Sequence, residues 1–224
     1  MIDYEEFGAR AKATPLRCVA LVRHGERPPI DPTDPTFGAN LPLSEAGRRM
    51  ARECGQALAK AGPPLGEWSF LASVLLRTRI TAGCVASAMG ADENSVRTSA
   101  EASIPGIWIE DQARLFRHYY AEGAVPFTNR FMRDGRAEGY RPIAKTTPLA
   151  MKWLDRGFGS RCAFIATHDV FAAMLLRGTG AASPTCEHWV AFLQGCAFFE
   201  RPDGGWDCEY LVPDKEDWRH AFVQ

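Results

Sequence analysis

No stretch of this 224-residue chain approaches the ~20 consecutive apolar residues that a membrane-spanning helix needs. A one-sided charge is also lacking. The 26 basic and 27 acidic residues leave a formal net charge of -1, whereas a general nucleic-acid binder presents a strongly basic face. No CxxC pair occurs among the seven cysteines, and their spacing is wider than a zinc site wants. The count is odd, and several thiols lie in apolar runs, so reduced, buried cysteines of a cytoplasmic protein are expected. The N-terminal MIDYEEFGARAKATPL has early acidic residues and none of the roughly 7–15-residue apolar core of a secretory signal, so export is not expected. Lysine is scarce, at 5 against 21 arginines. There is no internal repeat and no low-complexity tract. What remains is an ordinary globular composition, 46% hydrophobic and 24% charged, on a length suited to one domain with at most a modest insertion.

Arg17 to Val22 (RCVALV) is a short, β-branched apolar run and reads as a buried strand. A polar, proline-rich loop follows. Ser44 then stands as a helix N-cap before Ala46, Met50, Cys54, Ala57, Leu58 and Ala61, which recur at helical spacing until Gly62-Pro63-Pro64. Trp68–Ser73 is a second strand, residues 75–89 a helix, and Val96–Ser99 a weak third strand. Residues 105–145 are the least regular part, with Trp108, Phe116, Tyr119, Tyr120, Phe127 and Phe131 interleaved with six arginines. This segment reads as a partly helical excursion, a small cap inserted in a single domain spanning 1–224. A helix over about 147–156, a strand at Cys162–Thr167, a helix over Phe171, Met174 and Leu175, and a hairpin around Pro202-Asp203-Gly204-Gly205 complete the chain. Strands alternating with helices predict a three-layer α/β/α sandwich with a mostly parallel central sheet. In such sheets ligands sit outside the carboxyl ends of the strands.

Those ends carry a distinctive set of residues. Arg23-His24-Gly25-Glu26-Arg27 follows the first strand, a segment reaching Arg77 follows the second, and His168-Asp169 follows the CAFIAT strand. Three strands thus deliver three arginines, two histidines and an aspartate to one edge. Such a cluster suits a phosphoryl group, because guanidinium groups neutralise its equatorial oxygens and imidazoles add donors. An imidazole can also attack phosphorus and split one hard displacement into two easier ones. It must then present a bare nitrogen, usually by donating from the other nitrogen to a backbone carbonyl. Gly25 beside His24 lets the backbone turn sharply and the substrate approach closely.

The sequence resembles the histidine phosphatase superfamily. RHGERPP is similar to R-H-G-x-R-x-P of its acid-phosphatase branch, NLPLSEAG to D-x-P-L-T-x-x-G, LLRTRITA to L-x-R-T-x-x-T-A, and THD to the branch's H-D motif. The resemblance implies a phosphoglycerate-mutase-like fold and a metal-independent phosphomonoester hydrolase without an organic cofactor. His24 takes the place of the phosphorylated nucleophile. Arg23, Arg27, Arg77 and His168 take those of the phosphate pocket, and Asp169 that of the proton donor. The implied partner is a small phosphorylated substrate, with neither nucleic acid nor membrane, and no oligomeric state is implied. The superfamily's other branch, which includes the phosphoglycerate mutases, takes its acid from a Glu in L-x-E-x-x-x-G. In the nearest match, Leu115–Ala121, arginine stands at that position as Arg117, with Glu110 and Glu122 close by as substitutes.

Other readings stand beside this one. A phosphomutase shares the same constellation, and a non-catalytic phospho-ligand binder keeps the pocket without the chemistry. A metal-dependent HD-type hydrolase would want an all-helical chain with further ligands. His118, His188 and His220 belong to no constellation, and Arg79 has no family role. Between Asp111 and Lys145 six Arg and one Lys face two Asp and two Glu, a local charge of +3. That is either a solvated face or, through residues such as Arg114 and Arg117, a surface for an anionic part of the substrate. Trp218 and Phe222 are apolar residues near the C-terminus that pack on this domain or on a neighbour.

Overall fold

The computed structural model describes residues 1–31, 38–103 and 106–215. The segment containing Trp218, His220 and Phe222 lies outside the described residues, as do the middle of the proline-rich loop and the first residue of the expected cap. The elements in order are β1 (Ile2–Asp3), α1 (Tyr4–Ala13), β2 (Cys18–Arg23), α2 (Glu45–Ala61), β3 (Trp68–Ala72), α3 (Leu76–Ala88), β4 (Arg97–Thr98), α4 (Gln112–Glu122), α5 (Ala124–Asp134), α6 (Ile143–Asp155), β5 (Cys162–Thr167), α7 (Asp169–Thr179), β6 (Gly195–Glu200) and β7 (Trp206–Val212).

Among the described residues seven strands form one sheet in the order β1-β7-β6-β2-β5-β3-β4. Only β6 runs against the rest, pairing antiparallel with β2 and β7. The remaining pairings are parallel. Alternation along the central strands divides the core in two. Cys18, Ala20, Val22, Phe164 and Ala166 face one layer with Phe7, Ala51, Leu58 and Val85 of α1, α2 and α3. Val19, Leu21, Ala163 and Ile165 face the other with Trp153, Leu154, Met174 and Leu175 of α6 and α7. Helices therefore cover both faces, as a mostly parallel sheet requires, and the three-layer α/β expectation holds.

Two elements escaped the sequence reading. In α1, Asp3 caps the first turn by accepting from Glu6 N at 2.8 Å, while Tyr4, Phe7, Gly8 and Ala11 are buried. Four charged side chains, Glu5, Glu6, Arg10 and Lys12, dilute that periodicity. β1 has only two residues, and its place is set by pairing with β7 rather than by its own pattern. Helix α6 also begins earlier than expected, at Ile143, and carries Pro148 in its interior.

Within the 105–145 segment a 3-10 turn at Gly106–Trp108 leads into α4 and α5, and Ile109 bridges Tyr140. Trp108, Phe131 and Met132 join the α6/α7 core, with Trp108 edge-on to Phe171 at 5.7 Å. Part of its positive charge is neutralised internally, since Arg130 pairs with Glu122 at 2.6 Å and Glu138 at 2.9 Å. All seven cysteines are free thiols. Five are buried as expected, while Cys186 and Cys208 are only half-buried.

Candidate active site

The carboxyl ends of β2, β3 and β5 are laced together. His24 N donates to Thr167 O at 2.9 Å and Ser73 N to Ala166 O at 3.0 Å. This brings together residues far apart in sequence. His24, from the end of β2, is buried at 3% exposure. Its Nδ1 lies 2.8 Å from Gly25 O. A carbonyl only accepts, so Nδ1 carries the hydrogen and Nε2 is bare. Nε2 in turn accepts from Arg77 Nε at 3.1 Å. Burial drives the His24 pKa down to about 3 against the pull of the Gly25 carbonyl, and Arg23, His168 and Arg77 push the same way as burial. The imidazole is neutral, and its unprotonated Nε2 spends its lone pair on the Arg77 guanidinium.

The loop after His24 is seated on α2 by backbone contact. A Cβ on Gly25 would lie 2.9 Å from Gly47 O, and one on Gly47 only 2.2 Å from Glu26 O. Gly25 is thus required for close packing against the helix, and its φ is not positive. The expected sharp turn is not its reason. Ser44 caps α2 by accepting from Gly47 N at 3.0 Å. Thr81 of α3 holds the loop from the other side, accepting from Gly25 N at 3.0 Å while donating to Arg77 O at 2.8 Å.

His168 lies 5.7 Å from His24 between ring centroids, nearly edge-on. Its Nε2 is 2.9 Å from Ser73 Oγ, which is 2.8 Å from Thr78 Oγ1. Burial lowers its pKa to about 3, with Arg77, Arg23 and Arg27 adding to the effect and Asp169 opposing it. Asp169 opens α7. Its Oδ1 accepts from Val170 N at 2.8 Å, and Oδ2 lies 3.4 Å from Arg23 Nη2. Burial raises its proton affinity, but Arg23, the Val170 amide, His24 and a hydrogen bond from Trp189 outweigh burial and hold the carboxyl below its usual range.

The three arginines surround these groups. Arg23 Nη1 donates to Val190 O at 2.8 Å, and its guanidinium lies over the Phe192 ring at 4.2 Å. The loop carrying Phe192 contains the single non-glycine residue with positive φ among the described residues, Leu193 at 60°. Leu193 N donates to Arg23 O at 3.1 Å, and Tyr4 Oη donates to Leu193 O at 2.7 Å. Arg77 is 6% exposed, and burial followed by Arg27 and Arg23 lowers its pKa to about 10 despite Asp169. Arg27 is shifted down by burial and by Arg23. Arg23 Nε and Arg27 Nε are buried and have no hydrogen-bond partner among the described residues. Three mutually repelling guanidinium groups, two of them with an orphaned donor, offset by one carboxylate, are an arrangement that can hold a multiply charged anion.

All six residues singled out in the sequence, Arg23, His24, Arg27, Arg77, His168 and Asp169, meet here. Glu110 is exposed, and Glu122 is engaged by Arg130. Asp169, by contrast, acts directly on His168. Arg79, Arg114 and Arg117 are exposed, while Tyr119 and Tyr140 feel the Asp169 charge. A surface hollow of about 320 Å³ between Trp68, Arg97 and Phe158 lies at the opposite end of β3 and contains none of these residues. Among the described residues no helix is long and apolar enough to cross a membrane. No group of three or more His, Cys, Asp or Glu is arranged there to hold a metal ion.

Sequence reasoning missed Ser73, Thr78, Thr81, Trp189 and Phe192. The first three are fully buried polar side chains, and their signal lay within SVLLRTRITA, where hydroxyl residues flank Arg77 at helical intervals. Trp189 and Phe192 sit in a loop with no motif of its own.

A buried pair of neutral imidazoles ringed by arginines at the carboxyl edge of a parallel sheet defines a phosphoryl-transfer enzyme of the α/β class. The family model of the histidine phosphatase superfamily (branch 1) matches residues 19–186, and the chain belongs to that superfamily. The superfamily is the one its motifs resemble. The matching model is that of branch 1, although RHGERPP and THD resemble the acid-phosphatase branch. Solved structures with the same fold include a putative alpha-ribazole-5'-P phosphatase from Escherichia coli K-12, at 17% identity and TM-score 0.55, covering 88% of this chain and 96% of that one. Phosphoglycerate mutase from Bacillus anthracis matches at 11% identity and TM-score 0.54, covering 92% and 96%. The protein histidine phosphatase SixA, complexed with tungstate, matches at 13% identity and TM-score 0.54, covering 88% and 97%. A search of curated proteins finds no match.

Proposed function

We propose that this chain is a phosphomonoesterase that works through a phosphohistidine at His24. The observation that carries the reading is the unprotonated Nε2 of a neutral, buried His24, its tautomer fixed by the Gly25 carbonyl and its lone pair accepting from Arg77, which would turn to the phosphoryl oxygens and free it. In the first step the Nε2 lone pair forms a bond to phosphorus, the bond from phosphorus to the ester oxygen breaks, and Asp169 gives that oxygen a proton. In the second, water attacks phosphorus, the P–N bond breaks, and the proton from water returns to Asp169. Arg23, Arg27, Arg77 and His168 neutralise the transferring group throughout. Asp169 starts ionised beside Arg23. A dianionic phosphoryl group draws on the same positive field and raises the carboxyl's proton affinity, so that Asp169 takes up a proton from solvent before it serves as donor. The segment over 105–145 is read as a cap beside this site, with Tyr119 and Tyr140 toward Asp169.

The test is phosphate release from a panel of phosphomonoesters between pH 5 and 8, with and without chelator. Release is expected from the wild-type protein in both and is lost in His24→Ala. Phosphoryl exchange between positions of a sugar or glycerate without net release would instead establish a mutase. Phosphate binding with neither activity would establish a binder. Asp169→Asn is expected to cost ~100-fold or more on alkyl esters and about tenfold or less on aryl esters, whose leaving oxygen needs little protonation. Equal losses on both classes would exclude Asp169 as the donor.

A further inference from the structure

Arg23 is the last residue of β2, and its neighbours hold it irregularly. Val22 pairs with Gly195 in register. One step further, two residues stand opposite one. Arg23 N donates to Gln194 O at 2.9 Å, while Arg23 O accepts from Leu193 N at 3.1 Å. This is a β-bulge, a device that re-aims a side chain where a ladder ends. Leu193 takes the positive φ of 60° at which glycine usually stands. Its side chain is fully buried, and Tyr4 Oη donates to its carbonyl at 2.7 Å. Packing and a long-range bond thus hold the strained residue in place.

The side chain of Gln194 completes the arrangement. It is 1% exposed, and its Oε1 accepts from Ala191 N at 3.0 Å and from Tyr210 Oη. Gln194 N returns to Ala191 O at 3.1 Å, so side chain and backbone together close the turn over 191–194. The N–H of Ala191 shares its peptide unit with the C=O of Val190. That carbonyl accepts from Arg23 Nη1 at 2.8 Å. Gln194 thus reaches Arg23 twice, at the backbone through its own carbonyl and at the guanidinium through the 190–191 peptide. The peptide cannot rotate without breaking its bond to Gln194 Oε1. Phe192, in the same turn, lies under the guanidinium at 4.2 Å.

We propose that Gln194 is a positioning residue whose side-chain amide fixes the 190–191 peptide and, through it, the guanidinium of Arg23 for the phosphoryl group. This rests on Arg23 belonging to a phosphate pocket, as the phosphatase reading holds. The tether has a force to oppose. Arg23 repels Arg27 and Arg77, as the lowered proton affinity of both shows, and in an empty pocket that repulsion drives the three apart. A guanidinium held in place beforehand also loses less side-chain freedom when the anion arrives.

The test is the affinity of the full-length protein for inorganic phosphate, read by 15N–1H NMR titration of its backbone amides. Gln194→Leu removes the acceptor and is expected to raise Kd roughly five- to tenfold, the weight of about one hydrogen bond. In an Arg23→Ala background the same substitution is expected to change Kd by less than about twofold, because its effect travels through the arginine. Tyr210→Phe takes one donor from Gln194 Oε1 and leaves the bond from Ala191. It is expected to lower Tm and to keep Kd within about twofold of wild type. Gln194→Asn holds its amide one methylene short of Ala191 N, and supplies the answer, with the same expected rise, if Gln194→Leu does not fold. A Kd unchanged in the Gln194 variant would overturn the proposal. So would an equal rise in the Arg23→Ala background, or an equal rise in Tyr210→Phe. The titration needs no turnover. A protein that shows the expected response but hydrolyses no ester refutes the phosphatase reading alone, and one that hydrolyses esters with a phosphate affinity indifferent to Gln194 refutes the positioning alone. A wild-type protein that binds no phosphate overturns both.

Discussion

Thr81→Val isolates one hydroxyl and leaves the shape of the side chain almost unchanged. Thr81 is fully buried and joins two parts of the site, accepting from Gly25 N at 3.0 Å and donating to Arg77 O at 2.8 Å. Arg77 O remains within the α3 ladder, so its loss is small. Gly25 N is different, because the substitution leaves a buried donor without a partner, which costs about 1–3 kcal/mol. For a domain of this size, about 2 kcal/mol lowers Tm by roughly 4–8 °C. The same residue carries, on its next peptide unit, the carbonyl that accepts from His24 Nδ1 at 2.8 Å. Loosening it weakens the hold on the reactive tautomer, and a loss of about 1.4 kcal/mol in the transition state is a tenfold fall in kcat. Thermal unfolding and steady-state kinetics on one phosphomonoester read both. A lowered Tm with kcat unchanged within twofold would make Thr81 purely structural. An unchanged Tm would refute the bond to Gly25 and the reasoning built on it.

The loop beneath Arg23 makes a separate prediction. Phe192→Leu removes the ring under the guanidinium, a contact worth about 1 kcal/mol. The expected result is a roughly fivefold rise in KM and in the Kd for inorganic phosphate, with kcat little changed. Unchanged phosphate affinity would show that the ring does not support the arginine. The pH dependence of stability follows from the two histidines. Both are held far below the usual imidazole value, so the unfolded chain takes up protons below about pH 6.5 that the folded chain refuses. Stability is therefore complete above that pH and falls on acidification, with a limiting slope of about 2.7 kcal/mol per pH unit for the pair. Asp169, held low, adds loss in the same direction at lower pH. Urea unfolding at pH 7, 6 and 5, above the carboxylate range, is expected to show the decline, and His168→Asn is expected to reduce it. A flat midpoint over that interval would refute the neutral assignment.

Fold class and the six site residues were legible because their signals are local. An apolar strand such as CAFIAT and a helix repeat such as that after Ser44 carry their own periodicity. The strand-end rule then collects whatever charged residues come next, which here are His24, Arg77 and His168-Asp169. The first elements were not legible for the opposite reason. The two residues of β1 become a strand only through β7, more than 200 positions away. Gly25 was identified for a sharp turn and for close approach of the substrate, whereas only the position of α2 reveals that Gly47 leaves no room for a Cβ.

The sequence by itself determined which chemical groups reach the sheet edge, since each follows directly from a strand and needs no partner to place it. Tertiary structure alone decided their states. The tautomer of His24 depends on the carbonyl of Gly25, whose amide Thr81 holds across 56 positions, and the contact to His168 Nε2 comes from Ser73, just past β3 and 95 positions away. Both imidazoles are neutral because packing removes water and three arginines converge on them. Such states are set by distances between segments, and distances between segments exist only once the chain has folded.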